Sequence, residues 1–148
     1  MTAVVTVNRR IAAPAERLFD AWLDPASLSV WMRREGSDTT DVVADPRVGG
    51  SFSFVMNDAT GSFMHAGTYT VIDRPRVLEF TWRSHATLSI ESIVRVTFEP
   101  DGDATVVEVR HERLPDADAI AKHTEGWIDI LGSLDRTFAP VPTPGEES

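Results

Sequence analysis

The sequence contains no cysteine. Disulfides, thiol nucleophiles and every zinc site that needs a thiolate are thereby excluded. It also lacks a positive surplus: 23 Asp and Glu stand against 14 Lys and Arg, a formal charge of -9. Such a chain repels phosphate backbones and anionic lipid, which argues against general nucleic-acid or membrane-surface binding. No apolar run approaches the ~18 residues of a membrane span. The opening MTAVVTVNRRIAAP lacks the basic-then-apolar pattern of a secretory signal, so a cytoplasmic location is expected. What is present is a chain of 148 residues, 42% hydrophobic and 25% charged. That is the composition of an ordinary globular protein. A chain of this length buries roughly 68–70% of its unfolded surface and can build a core without staples.

Ala3 to Ile11 alternate in β-rich sequence and end at Ala12-Ala13-Pro14, which predicts a strand. Pro14 suits a helix start, and Leu18, Phe19, Trp22 and Leu23 recur at helical spacing. Asp24-Pro25 stops that helix and caps a second short one carrying Leu28, Trp31 and Met32. From Thr39 to His111 the period becomes two, with strands predicted near 39–44, 51–57, 62–72, 77–84, 88–99 and 104–112. Turn chemistry at Gly49-Gly50, Asn57 to Gly61, Asp73 to Pro75 and Asp101-Gly102 joins them into an antiparallel meander. Ala117 to Phe138 returns to helical period, with Ile120, Trp127, Leu131, Leu134 and Phe138 within about 40° of one another. Glu125, Asp129 and Arg136 fall on the far side, toward water. Residues 1–139 are read as one α+β domain and 140–148, rich in proline, as a mobile tail.

Strand faces follow from the alternation. Phe52, Phe54 and Met56 share one face, as do Leu78, Phe80 and Trp82, then Val94, Val96 and Phe98, then Val107, Val109 and His111. One covered face suits an antiparallel sheet, and the C-terminal helix is the element long enough to cover it. A curved sheet gripping one helix need not fill the space between them, and such a gap is an apolar pocket. Phe52, Phe54, Met56, Phe80, Trp82 and Trp127 are the candidate apolar lining. His111 continues an inward phase and His123 lies about 40° from Trp127, so both are candidates to orient polar atoms of a ligand. Tyr69 is a third, but its strand is ambiguous, because Met64, Ala66 and Ile72 compete with Phe63, Tyr69 and Val71 for the inward phase. The four histidines sit on separate elements without HxxxH or HxH spacing, so no metal is expected, and no cofactor either. No GxSxG, GxGxxG or GxxxxGK pattern occurs, and the serines are read as lying in turns or on outward strand positions. Gly126 and Gly132 interrupt the last helix, where each costs about 1 kcal/mol relative to alanine, and leave room for packing or for something bound.

A series of short motifs runs in order along the chain. It comprises Pro14-x-x-x-Leu18-Phe19-Asp20-Ala21-Trp22, Asp24-Pro25, Trp31, Asp45-x-Arg47-x-Gly49-Gly50-x-Phe52, Gly67-x-Tyr69 and Pro75-x-x-Leu78-x-Phe80-Thr81-Trp82. It closes on His123-x-x-Gly126-Trp127-x-x-x-Leu131-x-x-Leu134. Together these resemble the activator of Hsp90 ATPase homologue-like group of the START-like (SRPBCC) superfamily, from about residue 5 to residue 138. The resemblance implies a helix-grip fold: a curved antiparallel sheet of about six or seven strands around a long C-terminal helix, with two short helices after the first strand. Superfamily members include lipid and hormone carriers, polyketide cyclases and aromatases, so the site must decide the function. Eukaryotic Hsp90 activators join such a domain to a separate N-terminal one, for which this chain is expected to have no room.

The function expected is a small binding protein holding an apolar or aromatic small molecule between sheet and helix. One alternative is a cyclase- or hydrolase-like enzyme using a pocket histidine or tyrosine as general acid or base. The other is a chaperone-interaction module, which needs an exposed apolar patch. A homodimer is left open.

Overall fold

The computed structural model describes residues 3–34, 36–84, 87 and 90–138. The expected tail at 140–148 and the histidine His85 lie outside the described residues.

Ten elements follow one another as β1 (Ala3–Ile11), α1 (Ala15–Ala21), α2 (Pro25–Trp31), β2 (Asp38–Ala44), β3 (Ser51–Asp58), β4 (Gly61–Asp73), β5 (Val77–Ser84), β6 (Ser92–Asp101), β7 (Ala104–Leu114) and α3 (Ala117–Phe138). The first turn of α2 forms as its sequence dictates. The Asp24 side chain accepts a hydrogen bond from the Ala26 N–H at 3.2 Å, and Pro25 takes the first helical position. The strands form one antiparallel sheet in the order β1-β7-β6-β5-β4-β3-β2. β2 to β7 are a continuous meander, and the two short helices carry the chain across so that β1 pairs with β7. This is the α+β helix-grip architecture: seven strands, two short helices after the first, and a long C-terminal helix on the apolar face.

β6 begins at Ser92; of the residues expected before it, Ile90 and Glu91 stand outside the strand, and 88 and 89 lie outside the described residues. Its first pairing is Ser92 opposite Trp82, and before it the Ile90 N–H bonds the Thr87 carbonyl. The buried Thr87 hydroxyl bonds both the N–H and the carbonyl of Ser84 at 3.0 Å.

The ambiguous phase of β4 has a simple cause. Tyr69 pairs with Phe80, but Val71 pairs with Glu79 and Ile72 with Leu78, so the strand bulges by one residue at Thr70. His65, Gly67 and Tyr69 lie inward before the bulge and Ile72 after it, so both sequence patterns are partly right. The aromatic face demands Gly67. A Cβ there would sit 1.8 Å from the Thr81 carbonyl oxygen and 2.7 Å from the Phe52 ring.

One core cluster unites both short helices, the sheet and α3, with Leu18, Phe19, Trp31, Leu78, Val94 and Leu134 fully enclosed. Among the described residues no helix is long and apolar enough to cross a membrane.

Candidate functional site

The expected gap is closed along much of its length. Trp22, Leu28 and Met32, from the two short helices, press onto Phe52, Phe54, Tyr69, Phe80 and Trp82 of the sheet. The residual void is about 10 Å³, the space of roughly one water. Ring contacts explain why. Phe52 meets Phe80 edge-on at 5.3 Å, Trp22 meets Trp31 edge-on at 4.7 Å, and Trp22 stacks on Trp127 at 6.1 Å. Tyr69 is inside this packed region, only 2% exposed. Burial, reinforced by the negative charge of Asp45, pushes its hydroxyl up to about 12, so it stays protonated.

Space opens at one end, between the first half of α3, the ends of β3 and β4, and the loop after α2. A cavity of about 110 Å³ is walled there by Met56, Trp82, Trp127 and Ile130, with His65, His123, Gly126, Arg34 and Lys122 around it. A second chamber of about 210 Å³ shares Arg34, Met56 and His65 with the first and reaches Ser84 and Asp58.

Both histidines of this cavity have a defined tautomer. His123 Nδ1 lies 2.7 Å from the Ala119 carbonyl, and His65 Nδ1 lies 3.1 Å from the Phe63 carbonyl. A carbonyl only accepts, so each Nδ1 carries the proton, and each neutral ring keeps a lone pair on Nε2. Neither Nε2 has a hydrogen-bond partner among the described residues. Both rings are held neutral. Burial lowers His65 to about 4, and burial lowers His123, with the charges of Arg34 and Lys122 adding to the effect. His65 is fixed by stacking on Phe54 at 5.2 Å with 7° between the planes.

His111 sits behind the cavity, wholly buried. The Trp127 indole N–H donates to its Nδ1 at 3.0 Å, so Nε2 carries the proton and donates to Ser92 Oγ at 2.7 Å. Ser92 Oγ in turn donates to the Trp82 carbonyl at 2.6 Å. The chain of bonds thus runs one way, from Trp127 through His111 and Ser92 to β5. Ser92 is therefore an inward, buried serine, as is Ser84, contrary to the outward placement expected from sequence. Polar residues at inward positions escape a hydropathy pattern, and here the inward histidine supplies the partner. The serine–histidine pair is not a nucleophile–base pair. The imidazole donates to the hydroxyl instead of accepting from it, and burial holds His111 far down, at about 2.

Arg34 lies across α3, with Nε 3.5 Å from Asp129 and an Nη 4.0 Å from Glu125. It passes over Gly126, where a Cβ would meet the Arg34 side chain at 3.8 Å, an ordinary contact. Asp129 is thus half-buried beneath a guanidinium rather than free in water, because the loop after α2 folds over it. Among the described residues no three of His, Asp and Glu gather to hold a metal ion.

The predicted residues thus divide. Met56, Trp82, His123 and Trp127 meet at the open cavity, and Trp82 also reaches the packed region. Phe52, Phe54, Tyr69 and Phe80 enclose the small void. His111 lines neither and acts on Trp127 and Ser92. Sequence reasoning missed His65 and Arg34. His65 stands two residues before Gly67 and four before Tyr69, and the period of two that places Tyr69 inward also carries His65 inward. Arg34 is on a loop and has no periodic signal.

Solved structures share this architecture. A protein from Chromobacterium violaceum is 25% identical, with 93% of this chain and 98% of that chain covered and a TM-score of 0.85. The AHSA1 protein from Silicibacter pomeroyi is 29% identical, with 91% and 96% covered and a TM-score of 0.77. An HSP90 activator from Plasmodium falciparum is 22% identical, with 90% and 94% covered and a TM-score of 0.71; it shares the fold. No curated protein matches the sequence. The family model described as "Activator of Hsp90 ATPase homolog 1-like protein" matches residues 12–139, nearly all of the sheet, both short helices and α3, and the chain belongs to that family.

Proposed function

We propose that this is a cytoplasmic small-molecule binding protein that holds an apolar or aromatic ligand at the open end of the grip. Membership of the family fits either a ligand-binding or an Hsp90-activator-like role. The observation that favours binding is the cavity itself: Met56, Trp82, Trp127 and Ile130 wall about 110 Å³ of space, continuous through shared residues with a larger chamber. A void of comparable size, about 150 Å³, lined by apolar side chains takes up benzene. The polar groups are few and fixed, as in other ligand pockets. His111 serves this site indirectly, by fixing the indole of Trp127.

An environment-sensitive apolar dye should bind at about one per chain and quench or shift tryptophan emission, since Trp82 and Trp127 form the wall. Gly126→Leu directs a side chain into the cavity and should abolish dye binding while the protein stays folded. Dye binding unchanged in that variant would place the site elsewhere. No binding at all would turn the reading toward the Hsp90-activator-like role.

A further inference from the structure

The polar groups of the open cavity define the chemistry of its occupant more narrowly than the apolar walls do. Resting on the binding reading above, we infer that the cavity selects a hydroxyl group carried on a small aromatic body, that is, a neutral phenol or aromatic alcohol.

The argument is one of complementary donors and acceptors. His65 and His123 present two Nε2 lone pairs without donors among the described residues. Both imidazoles line the cavity, and their Nε2 atoms are not closed off by the protein. An acceptor facing an apolar space is left unmatched by an apolar occupant, so the favoured occupant is one that donates to it. A neutral hydroxyl donates to an imidazole Nε2 without carrying charge into the cavity. An ether accepts only and leaves both imidazoles unmatched. A hydrocarbon matches neither.

Charge excludes the other common polar groups. An ammonium ligand finds no free counter-charge among the described residues, because the carboxylates near the cavity are already paired with Arg34 and Lys122. Those two cations do not invite a carboxylate either, because acidic residues already engage them. Arg34 is held by Asp129 at 3.5 Å and Glu125 at 4.0 Å, and Lys122 by Asp118 at 3.0 Å. An anion would also face the two imidazole lone pairs. The ring belongs against Trp82 and Trp127, whose centroids lie 5.2 Å apart.

Displacement of the bound dye separates this inference from the reading on which it rests. The probes are p-cresol, 4-methylanisole, toluene and 4-methylbenzoate, which share a ring and differ in one group. p-Cresol should displace the dye roughly five- to tenfold more tightly than 4-methylanisole or toluene, the worth of one ordinary hydrogen bond. The His65→Leu/His123→Leu double variant should reduce that advantage to less than twofold while toluene binds as before. Because these substitutions could disturb packing, the wild-type protein gives a second measurement: the ¹⁵N resonances of Nε2 in His65 or His123 should move with p-cresol and not with toluene. A dye that binds but is displaced equally by p-cresol and 4-methylanisole overturns the inference and spares the binding reading. Tighter displacement by 4-methylbenzoate also overturns it, in favour of recognition by Arg34 and Lys122. Failure of the dye itself to bind removes the binding reading first.

Discussion

The two ends of the grip are built from the same kinds of residue and have opposite outcomes. At the closed end Trp22, Leu28 and Met32 descend onto Phe52 and Phe80, and about 10 Å³ remains. At the open end Met56, Trp82 and Trp127 stand as far inward, yet about 110 Å³ remains, because no short helix covers that stretch. Aromatic content therefore does not make a pocket. The layer above decides: at one end two helices add a second set of rings, at the other Arg34 of the loop and His123 of α3 face the sheet and leave space.

If that contrast is right, truncations at the two ends should differ. At the closed end Phe80→Ala and Trp22→Ala should each cost about 3–5 kcal/mol, the range for large aromatic deletions in a packed core. Met56→Ala should sit near the lower bound for methionine, about 2 kcal/mol, since it borders space already empty. Denaturant unfolding checks this, and equal losses would erase the distinction between the ends.

Acid tests the buried histidines on both sides of the cavity. His65 is held at about 4 and His111 at about 2, and His123 is lowered as well, all chiefly by burial. In the unfolded chain each titrates near 6.5. Between that value and the folded one the unfolded state binds the additional proton, so stability is complete above pH ~6.5 and declines as the pH falls. The slope is up to about 1.4 kcal/mol per pH unit for each histidine. Melting temperature should drop steadily from pH 7 to pH 4.5; a flat profile would show that these rings are protonated or solvated in the fold.

His111→Leu removes the acceptor of the Trp127 indole and the donor to Ser92. It should cost about 1–3 kcal/mol, and its melting temperature should depend less on acid than that of the wild type. Gly126→Leu should have the smallest effect on stability, with a melting point within a few degrees of wild type. Leucine is the better helix former by under about 1 kcal/mol, and a Cβ there meets only the flexible Arg34 side chain. Its effect belongs to the cavity, read by dye binding.

Much of the fold was legible because it rests on local rules. Period two marked the strands, Asp24-Pro25 marked a helix start, and the stripe through Trp127, Leu131 and Leu134 marked the buried face of α3. Legibility failed where a local rule met a tertiary exception. A bulge at Thr70 shifted the phase of β4 midway, so neither alternation could hold from end to end. β6 starts only at Ser92, so Ile90 and Glu91 stand outside the strand expected to include them.

The candidate site was legible in part for the same reason. Trp82, His123 and Trp127 follow from the phase of one strand and one helix, and that phase is a property of consecutive residues. The sequence by itself determined the order of elements, the apolar face of the sheet and the helix that covers it. Only the tertiary structure decided that Phe52 and Phe80 lie in solid core while Met56 and Trp127 border space. It alone brought His65 from β4 and Arg34 from a loop to His123, and it oriented His111 away from the cavity toward Trp127 and Ser92. The physical reason is that hydropathy and periodicity report which face a residue takes. Whether a second layer fills that face, and which nitrogen of a buried histidine is already engaged, depend on residues distant in the chain.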